Sequence, residues 1–338
     1  MSDPTTPYTH VFPDPPQAVY FISRPRPRYW LHALLFLATF FTTLAVGARF
    51  QYNFQHHLAT LDLTDSSGLP FPLMWVLRAP QRLLLGIPFS LSLMGILLAH
   101  EMGHYLYCRK YHVYATLPYF LPAPTLIGTL GAFIRIKSPI RTREALFDIG
   151  IGGPIAGFVV ALPLLFLGIA LSHGGNREDM SFGYPLIFNF AHAFCGPAVP
   201  LDRLQLHPVA IAAWFGMFAT ALNLLPGGQL DGGHIIASVW PRAHRVASII
   251  TIAALLYMSW SFFIGWLLWA LFLLIAFRHP RVPEYPKLNV PRLWIALLGM
   301  IMLAITIAPR PFSVSDKNQG LSLNDITQQI RNHFHHGG

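Results

Sequence analysis

Charged residues are scarce in this chain of 338 residues. Asp, Glu, Lys and Arg together make up 11% of it, whereas 54% of its residues are hydrophobic. A soluble domain carries about 25% charged residues, so this composition excludes an ordinary soluble protein and indicates a multi-pass membrane protein. The formal net charge of +9 then fits basic cytoplasmic loops next to a lipid bilayer, and we expect no nucleic-acid partner.

Cysteine is also rare, and the first residues lack an apolar core. Cys108 and Cys195 are the two cysteines, and the topology given below places them on opposite sides of the membrane, so we expect no disulfide bond. The start of the chain contains prolines and acids, which predicts that no signal peptide is cleaved. The lack of a transit-peptide pattern favours a bacterial plasma membrane over a plastid.

Long apolar runs predict an all-α polytopic fold with about seven transmembrane helices. The expected spans are residues 29–48, 83–107, 147–172, 208–225, two spans within 246–277 that meet near 258–261, and 293–308. Arginine and lysine are concentrated before the first span, between the second and third spans, and at 278–292. These parts are expected to face the cytoplasm, with 173–206 and 309–338 outside.

The second span contains the sequence His-Glu-Met-Gly-His at residues 100–104. On a helix, His100 and His104 lie one turn apart on the same face. Two imidazoles at this spacing can bind one Zn²⁺ ion, and Glu101 between them can act as a general base. The structural alternative is a pair of hydrogen-bonded packing histidines. Three polar groups on one helix are costly in lipid, however, and therefore indicate a functional site.

A catalytic zinc site needs a third protein ligand. The chain has four glutamates, and apart from Glu101 none lies in a predicted span. Asp231 follows the fourth span, which runs from outside to inside and therefore ends at the depth of the two histidines. Pro226 breaks that span, and Asp231 is expected to begin a short new helix. Asp231 is thus predicted to be the third ligand, the N-cap of the short helix, or both.

Two polar residues near Asp231 each fit more than one role. Asn223, at the end of the fourth span, can stabilise an oxyanion, and it can equally form an interhelical hydrogen bond or cap a helix end. His234 lies one turn after Asp231, where a supporting role is favoured over metal ligation.

These motifs resemble those of the site-2 protease family of intramembrane zinc metalloproteases, peptidase family M50. That family pairs H-E-x-x-H with a downstream N-x-x-P-x-x-x-L-D-G, which is filled here by Asn223, Pro226, Leu230, Asp231 and Gly232. Residues 117–124 and 128–135 are similar to the family's membrane-associated β-sheet loop, and residues 150–154 to its Gly-Pro entry to the third core span. The resemblance covers roughly residues 80–245 and is closest to the plant and bacterial branch that lacks a PDZ domain.

The resemblance implies a zinc-dependent endopeptidase that cleaves transmembrane segments, mostly of single-pass proteins, within the lipid bilayer. One Zn²⁺ would be bound by His100, His104 and Asp231, Glu101 would act as the general base, and Asn223 would assist. A strand predicted at 131–137 could pair with an extended substrate by β-augmentation. The substrate-binding residues expected on this strand are Gly131, Phe133 and Arg135.

The predicted spans, together with the resemblance, divide the chain into five parts. We expect a cytoplasmic segment at 1–28, a first helix with an outer loop at 29–82, a protease core at 83–240, C-terminal helices at 241–308 and a polar, disordered tail at 309–338. The active site is expected to lie toward the cytoplasmic side.

Three other functions have to be weighed. A CAAX-type zinc protease would need a glutamate ligand in a later span, and the sequence has none there. A metal transporter or sensor would need more His or acidic residues in several spans, whereas the remaining spans are almost purely apolar. An inactive chaperone-like relative would not need Glu101, because structural zinc binding requires no general base.

Overall fold

The computed structural model describes residues 28–64, 71–175, 180–277, 287–314 and 322–327. The α-helices are α1 (Tyr29–Gln55), α2 (Leu73–Leu77), α3 (Ile87–Lys110), α4 (Arg143–Ala170), α5 (Leu186–Cys195), α6 (Pro208–Asn223), α7 (Asp231–Val239), α8 (His244–Ser261), α9 (Gly265–Ile275) and α10 (Val290–Thr306), and 3-10 turns lie at Pro80–Gly86 and Leu201–Arg203. The strands are β1 (Tyr119–Pro122), β2 (Thr129–Phe133), β3 (His173–Gly174), β4 (Met180–Phe182), β5 (Leu204–Gln205) and β6 (Phe312–Val314). The fold is thus mostly helical, as predicted.

Three helical segments are long and apolar enough to cross a membrane. They are Tyr29–Gln55, Pro80–Lys110 and Arg143–Ala170, and they correspond to the first three predicted spans. Helices α6, α9 and α10 are apolar but contain 16, 11 and 17 residues, fewer than the roughly 20 that span a bilayer upright. The described residues thus include three helices of the length and apolar composition expected of membrane spans. The count of seven spans stays a prediction.

Several predicted boundaries move in the structure. Helix α1 continues to Gln55 because the polar residues after position 48 pack inside the protein rather than against lipid. Helix α4 begins at Arg143, where the Thr142 hydroxyl accepts a hydrogen bond from the Ala145 amide as an N-cap. Residues 150–154, the predicted Gly-Pro entry to the third span, consequently lie within α4 rather than before it. The predicted pair of helices within 246–277 is present as α8 and α9, which meet at 262–264.

A β-hairpin joins α3 to α4. Strands β1 and β2 pair antiparallel, with a register irregularity before Pro122, a residue that cannot donate to the ladder. The predicted strand at 131–137 was misplaced, because β2 ends at Phe133 and only Ile136 re-forms a bridge, to Ala115. The hairpin leans on α1, where the Thr42 hydroxyl donates to the Gly128 carbonyl at 2.6 Å. This contact holds the turn of the hairpin against α1.

Helix ends gather at two opposite ends of the bundle. The basic end contains the C-terminus of α3, the hairpin, the start of α4, helix α7 and the start of α10. The opposite end contains the short pairs β3–β5 and β4–β6, and the Gln205 side-chain amide donates to the Leu58 carbonyl there at 2.8 Å. The two cysteines are free and lie on α3 and α5.

Two predictions for the chain's connections were incomplete. The stretch 173–206, expected as an outer loop, contains the apolar helix α5. The stretch 309–338, expected as a disordered tail, begins with β6, which pairs with β4. The N-terminal segment at 1–27, residues 278–286 of the basic connection, and residues 315–321 and 328–338 of the expected tail lie outside the described residues.

Candidate metal centre and active site

Three side chains converge between α3 and α7. His100 and His104 are presented by one face of α3, and Asp231 is the first residue of α7. The Nε2 atom of each histidine lies 3.3 Å from the Asp231 Oδ2 atom, and the potential ligand atoms all fall within 4.8 Å of one another. In the part of the chain that the structure describes, this is the one group of three His, Cys, Asp or Glu residues close enough to hold a metal ion.

The donor atoms fit a small divalent cation. The Asp231 Oδ2 atom is buried and accepts no well-aligned hydrogen bond in the described structure, which is costly for a carboxylate oxygen without a bound cation. Donor atoms bound tetrahedrally at about 2.0–2.1 Å would be separated by about 3.3–3.4 Å, and the His–Asp distances of 3.3 Å match that spacing. Two imidazoles and one carboxylate with a fourth position free are the donor set of a catalytic zinc site.

The orientation of His104 is fixed by a backbone group. Its Nδ1 atom lies 2.7 Å from the Ile149 carbonyl oxygen, so Nδ1 carries the proton and Nε2 is left as the ligand atom. Gly153 passes directly beneath the same ring, and a Cβ there would overlap the imidazole. One turn of α4 therefore both orients His104 and leaves room for it.

Glu101 is buried and points into a cavity of about 250 Å³. The cavity is lined by His100, Glu101, His104, Ala132, Phe133, Ile134, Ile136, Ile149, Gly150, Asn223, Gln229, Leu230, Asp231 and His234. The Ile134 backbone lies beside the Glu101 carboxylate, so the chain just after β2 borders the candidate base. A substrate in the cavity would lie between the hairpin, α3 and α7.

The two neighbours of Asp231 occupy different positions. The Asn223 Nδ2 atom lies 3.4 Å from the His100 Nε2 atom, at the edge of the donor group and facing the cavity. His234 lines the cavity but is not part of the metal-binding group. The alternative role of Asp231 as an N-cap is not what the structure shows, because Leu230 occupies that position and the helix has no side-chain cap.

Comparison with known proteins assigns the chain to a family. A family model described as Peptidase family M50 matches residues 88–267, which is more than half of the chain and includes α3 and Asp231. The chain belongs to peptidase family M50.

Curated relatives of this M50 chain carry protease names. It is 29% identical over 304 residues to "Probable zinc metalloprotease EGY1, chloroplastic" of Arabidopsis thaliana, covering 85% of this chain and 55% of that protein. It is 31% identical over 267 residues to "Probable zinc metalloprotease EGY2, chloroplastic" of the same plant, covering 76% and 48%. A rice protein (Oryza sativa subsp. japonica) named as EGY1 is 27% identical over 306 residues, covering 85% and 52%. The chain spans about half the length of the curated relatives it matches.

The predicted substrate-binding residues of the M50 chain separate in the structure. Phe133 lines the cavity, whereas Gly131 and Arg135 are not among its lining residues. Arg135 faces the other way, because its amide donates to the Thr116 hydroxyl and its carbonyl accepts from the Thr116 amide, both at 3.0 Å. The cavity is lined instead by Ala132, Ile134 and Ile136.

Sequence reasoning on the M50 chain missed two backbone groups. The Ile149 carbonyl and the Ile134 backbone contact His104 and Glu101. Neither has a sequence signal, since every residue carries the same backbone atoms. Only the packing of α4 and the hairpin against α3 brings them to the site.

Proposed function

We propose that this chain is a zinc-dependent intramembrane endopeptidase that cleaves transmembrane segments of membrane proteins. The observation that carries this proposal is the convergence of His100, His104 and Asp231 beside the buried Glu101 in one cavity of an M50 chain. The proposed protease core is the segment 83–240, which includes all four residues.

The proposed mechanism assigns a role to each side chain. His100, His104 and Asp231 hold the metal, and bound zinc would acidify a water molecule and polarise the scissile carbonyl. Glu101 takes the proton of the attacking water and later delivers it to the leaving amine. The proposed role of the Asn223 amide is to donate to the oxygen of the scissile carbonyl as negative charge develops on it.

The proposed substrate is an unwound segment of a transmembrane helix, mostly from single-pass proteins. A helix hides its amides in internal hydrogen bonds, so a scissile bond becomes accessible only in extended form. The backbone groups of Arg135 and Lys137 form hydrogen bonds with residues 114–116 of the neighbouring chain segment. Because backbone groups alternate in direction along an antiparallel ladder, the amides of Ile134 and Ile136 face the opposite edge of this segment. That edge borders the cavity, and we propose that the substrate pairs along it.

We also propose that the active site faces the cytoplasmic side of the membrane. The proposal is supported by the basic end of the bundle, which carries exposed Arg109, Lys110, Arg135, Lys137 and Arg141. A bacterial plasma membrane, predicted from the first residues, gains no support from the curated relatives, which are named chloroplastic.

The proposal is tested by proteolysis in liposomes that contain the protein and a panel of single-pass membrane proteins. Glu101→Gln should lower the rate of cleavage about a hundredfold or more, while the zinc content remains near one ion per chain. His100→Ala should lose both zinc and cleavage. Asp202→Asn, which changes an exposed carboxylate at the opposite end, is the matched control and should cleave normally. Cleavage that persists in Glu101→Gln, or a wild-type protein without zinc, would contradict the proposal.

A further inference from the structure

An arginine on α10 connects to two other helices near the site. Arg292 lies in the first turn of α10, outside the segment 88–267 that matches the family model. Its guanidinium binds Asp148 with two parallel hydrogen bonds, Nε to Oδ1 at 2.8 Å and Nη2 to Oδ2 at 3.0 Å. It also donates to Glu144 at 2.9 Å and to the Tyr111 hydroxyl at 3.2 Å. One side chain thus joins α10, the start of α4 and the end of α3.

The position of Arg292 is not explained by its own helix. A cation in the first turn of a helix is disfavoured by the helix dipole, whereas Glu144 in the first turn of α4 is favoured by the dipole of that helix. The Arg292 side chain is only 16% exposed, and that of Asp148 is 11% exposed. A bidentate arginine–carboxylate pair with so little solvent holds its geometry far better than an exposed pair.

Tyr111 closes the cluster from α3. Its hydroxyl donates to Asp148 Oδ2, and burial together with this hydrogen bond raises the pKa of Tyr111 to about 12. The hydroxyl is therefore protonated at neutral pH and remains a donor. Tyr111 directly follows the last residue of α3, seven positions after His104. Through Tyr111 the cluster is thus joined to the helix that carries the candidate metal ligand.

Asp148 leads directly to the metal centre on the α4 side. The next residue, Ile149, provides the carbonyl that accepts the hydrogen bond of His104 Nδ1 at 2.7 Å. Around this point α3 and α4 are in backbone contact, and a Cβ at Gly152 would overlap the Tyr107 ring. Because the two helices are so closely packed here, a shift of Asp148 also moves the neighbouring Ile149 carbonyl relative to His104.

We propose that Arg292 is a positioning residue for the metal centre. By holding Asp148 and Tyr111 together, it fixes the α3–α4 spacing at which the Ile149 carbonyl orients His104. The inference rests on the proposed ligation of the metal by His104. It makes α10 part of the site's supporting structure, although α10 lies beyond the family-matched segment.

The test is Co²⁺ binding to the full-length protein in detergent, since Co²⁺ reports its ligand geometry in the visible absorption spectrum. Arg292→Ala should weaken Co²⁺ binding about tenfold or more, as expected for loss of a group that orients a ligand, and should change the spectrum. Arg292→Lys keeps the charge but cannot bind both carboxylate oxygens. Its Co²⁺ affinity should lie between those of the wild type and Arg292→Ala. Arg310→Ala, beyond the other end of α10, is the matched control and should bind like the wild type.

A second comparison separates positioning from general destabilisation. If Arg292 acts through Asp148, Asp148→Asn should weaken Co²⁺ binding as well, and adding Arg292→Ala to it should change little further. Wild-type affinity and spectrum in both Arg292→Ala and Arg292→Lys, or equal losses in Arg310→Ala, would overturn the inference while leaving the proposed protease intact. A wild-type protein that binds neither Zn²⁺ nor Co²⁺ would overturn the proposed metal site and this inference with it.

Discussion

At the scale of single residues, Gly153 offers a direct probe of the His104 ring. A Cβ at this position would overlap the imidazole, so Gly153→Ala should displace the ring from Asp231. We expect metal affinity to fall about tenfold or more, measured by competition with a chelator. Gly95→Ala is the matched control, because a Cβ at Gly95, on α3, would meet nothing within 4 Å. Equal metal affinity in the two variants would contradict this packing role.

Asn223 allows chemistry and metal binding to be separated. Its amide lies at the edge of the donor group but is not part of it. Asn223→Ala should therefore lower kcat by about a hundredfold, the usual cost of removing one oxyanion donor, with zinc content unchanged. Zinc content and kcat are measured on the same preparation. A loss of zinc in step with activity would instead assign Asn223 a structural role.

The candidate side chains were predictable because their signal is local. The i, i+4 spacing of His100 and His104 needs nothing beyond a helix, and Asp231 was found by counting spans and comparing depth. Arg292 was placed in a basic connection, and its ion pairs with Glu144 and Asp148 were not foreseen. In the sequence, Arg292 is 144 positions from Asp148 and 148 positions from Glu144. No periodicity in the sequence relates residues so far apart.

At the scale of elements, the open edge after β2 carries the proposed substrate contact. The Ile136 amide has no hydrogen-bond partner among the described residues, whereas the Lys137 amide donates to the Tyr114 carbonyl at 2.8 Å. Ile136→Pro should therefore slow cleavage while zinc content stays normal, because proline removes the amide that the substrate would use. Ile136→Ala, which keeps the amide, is the control.

The outcome of this test depends on choosing position 136 rather than 134. Proline at Ile134 would also disturb the backbone contact with Glu101, so it could not separate substrate pairing from damage to the base. Unchanged cleavage in Ile136→Pro, with normal zinc content, would contradict pairing at this edge.

The cap of α6 predicts a dependence of stability on pH. His207 precedes this helix, and its Nδ1 atom accepts a hydrogen bond from the Val209 amide at 3.3 Å. Burial, followed by repulsion from His173, holds the pKa of His207 below its ordinary value of 6.5. The folded protein thus favours neutral His207, and stability is lost as pH falls below about 6.5, where the unfolded chain takes up the proton first.

This prediction is checked by thermal unfolding between about pH 8 and about pH 5.5. The wild type should lose stability on acidification, and His207→Asn, which can still cap the helix without taking up a proton, should lose less. An identical pH dependence in both proteins would show that other groups cause it.

The boundaries of helices were predictable where a long apolar run in the sequence marked them. Long apolar runs gave the first three helices to within a few residues, apart from the extension of α1. The hairpin was shifted because its register depends on Pro122 and on contacts with α1. Strands such as β3 and β5 have two residues each, too short for any alternation of polar and apolar residues. They form because the helix ends bring them together.

At the scale of the whole molecule, the arrangement of helix ends was expected in outline. Alternating spans place the HExxH motif and Asp231 near one end, and the structure brings both together there. The pairing of β6 with β4 puts the start of the expected tail at the opposite end, with the connection after α4. The number of spans could not be settled by counting, because α6, α9 and α10 are shorter than an upright span and their depth depends on packing.

The two ends also predict the orientation of the molecule in a membrane. The concentration of exposed arginine and lysine at the basic end should hold that end on the cytoplasmic side. A single cysteine is introduced at Lys137 or at Asp202, which are exposed at the basic and opposite ends, after both native cysteines are replaced. A membrane-impermeant maleimide should then label Asp202→Cys in intact cells and Lys137→Cys only in inverted vesicles. Labelling of both positions from one side would contradict the topology, and a reversed pattern would place the proposed active site toward the outer face.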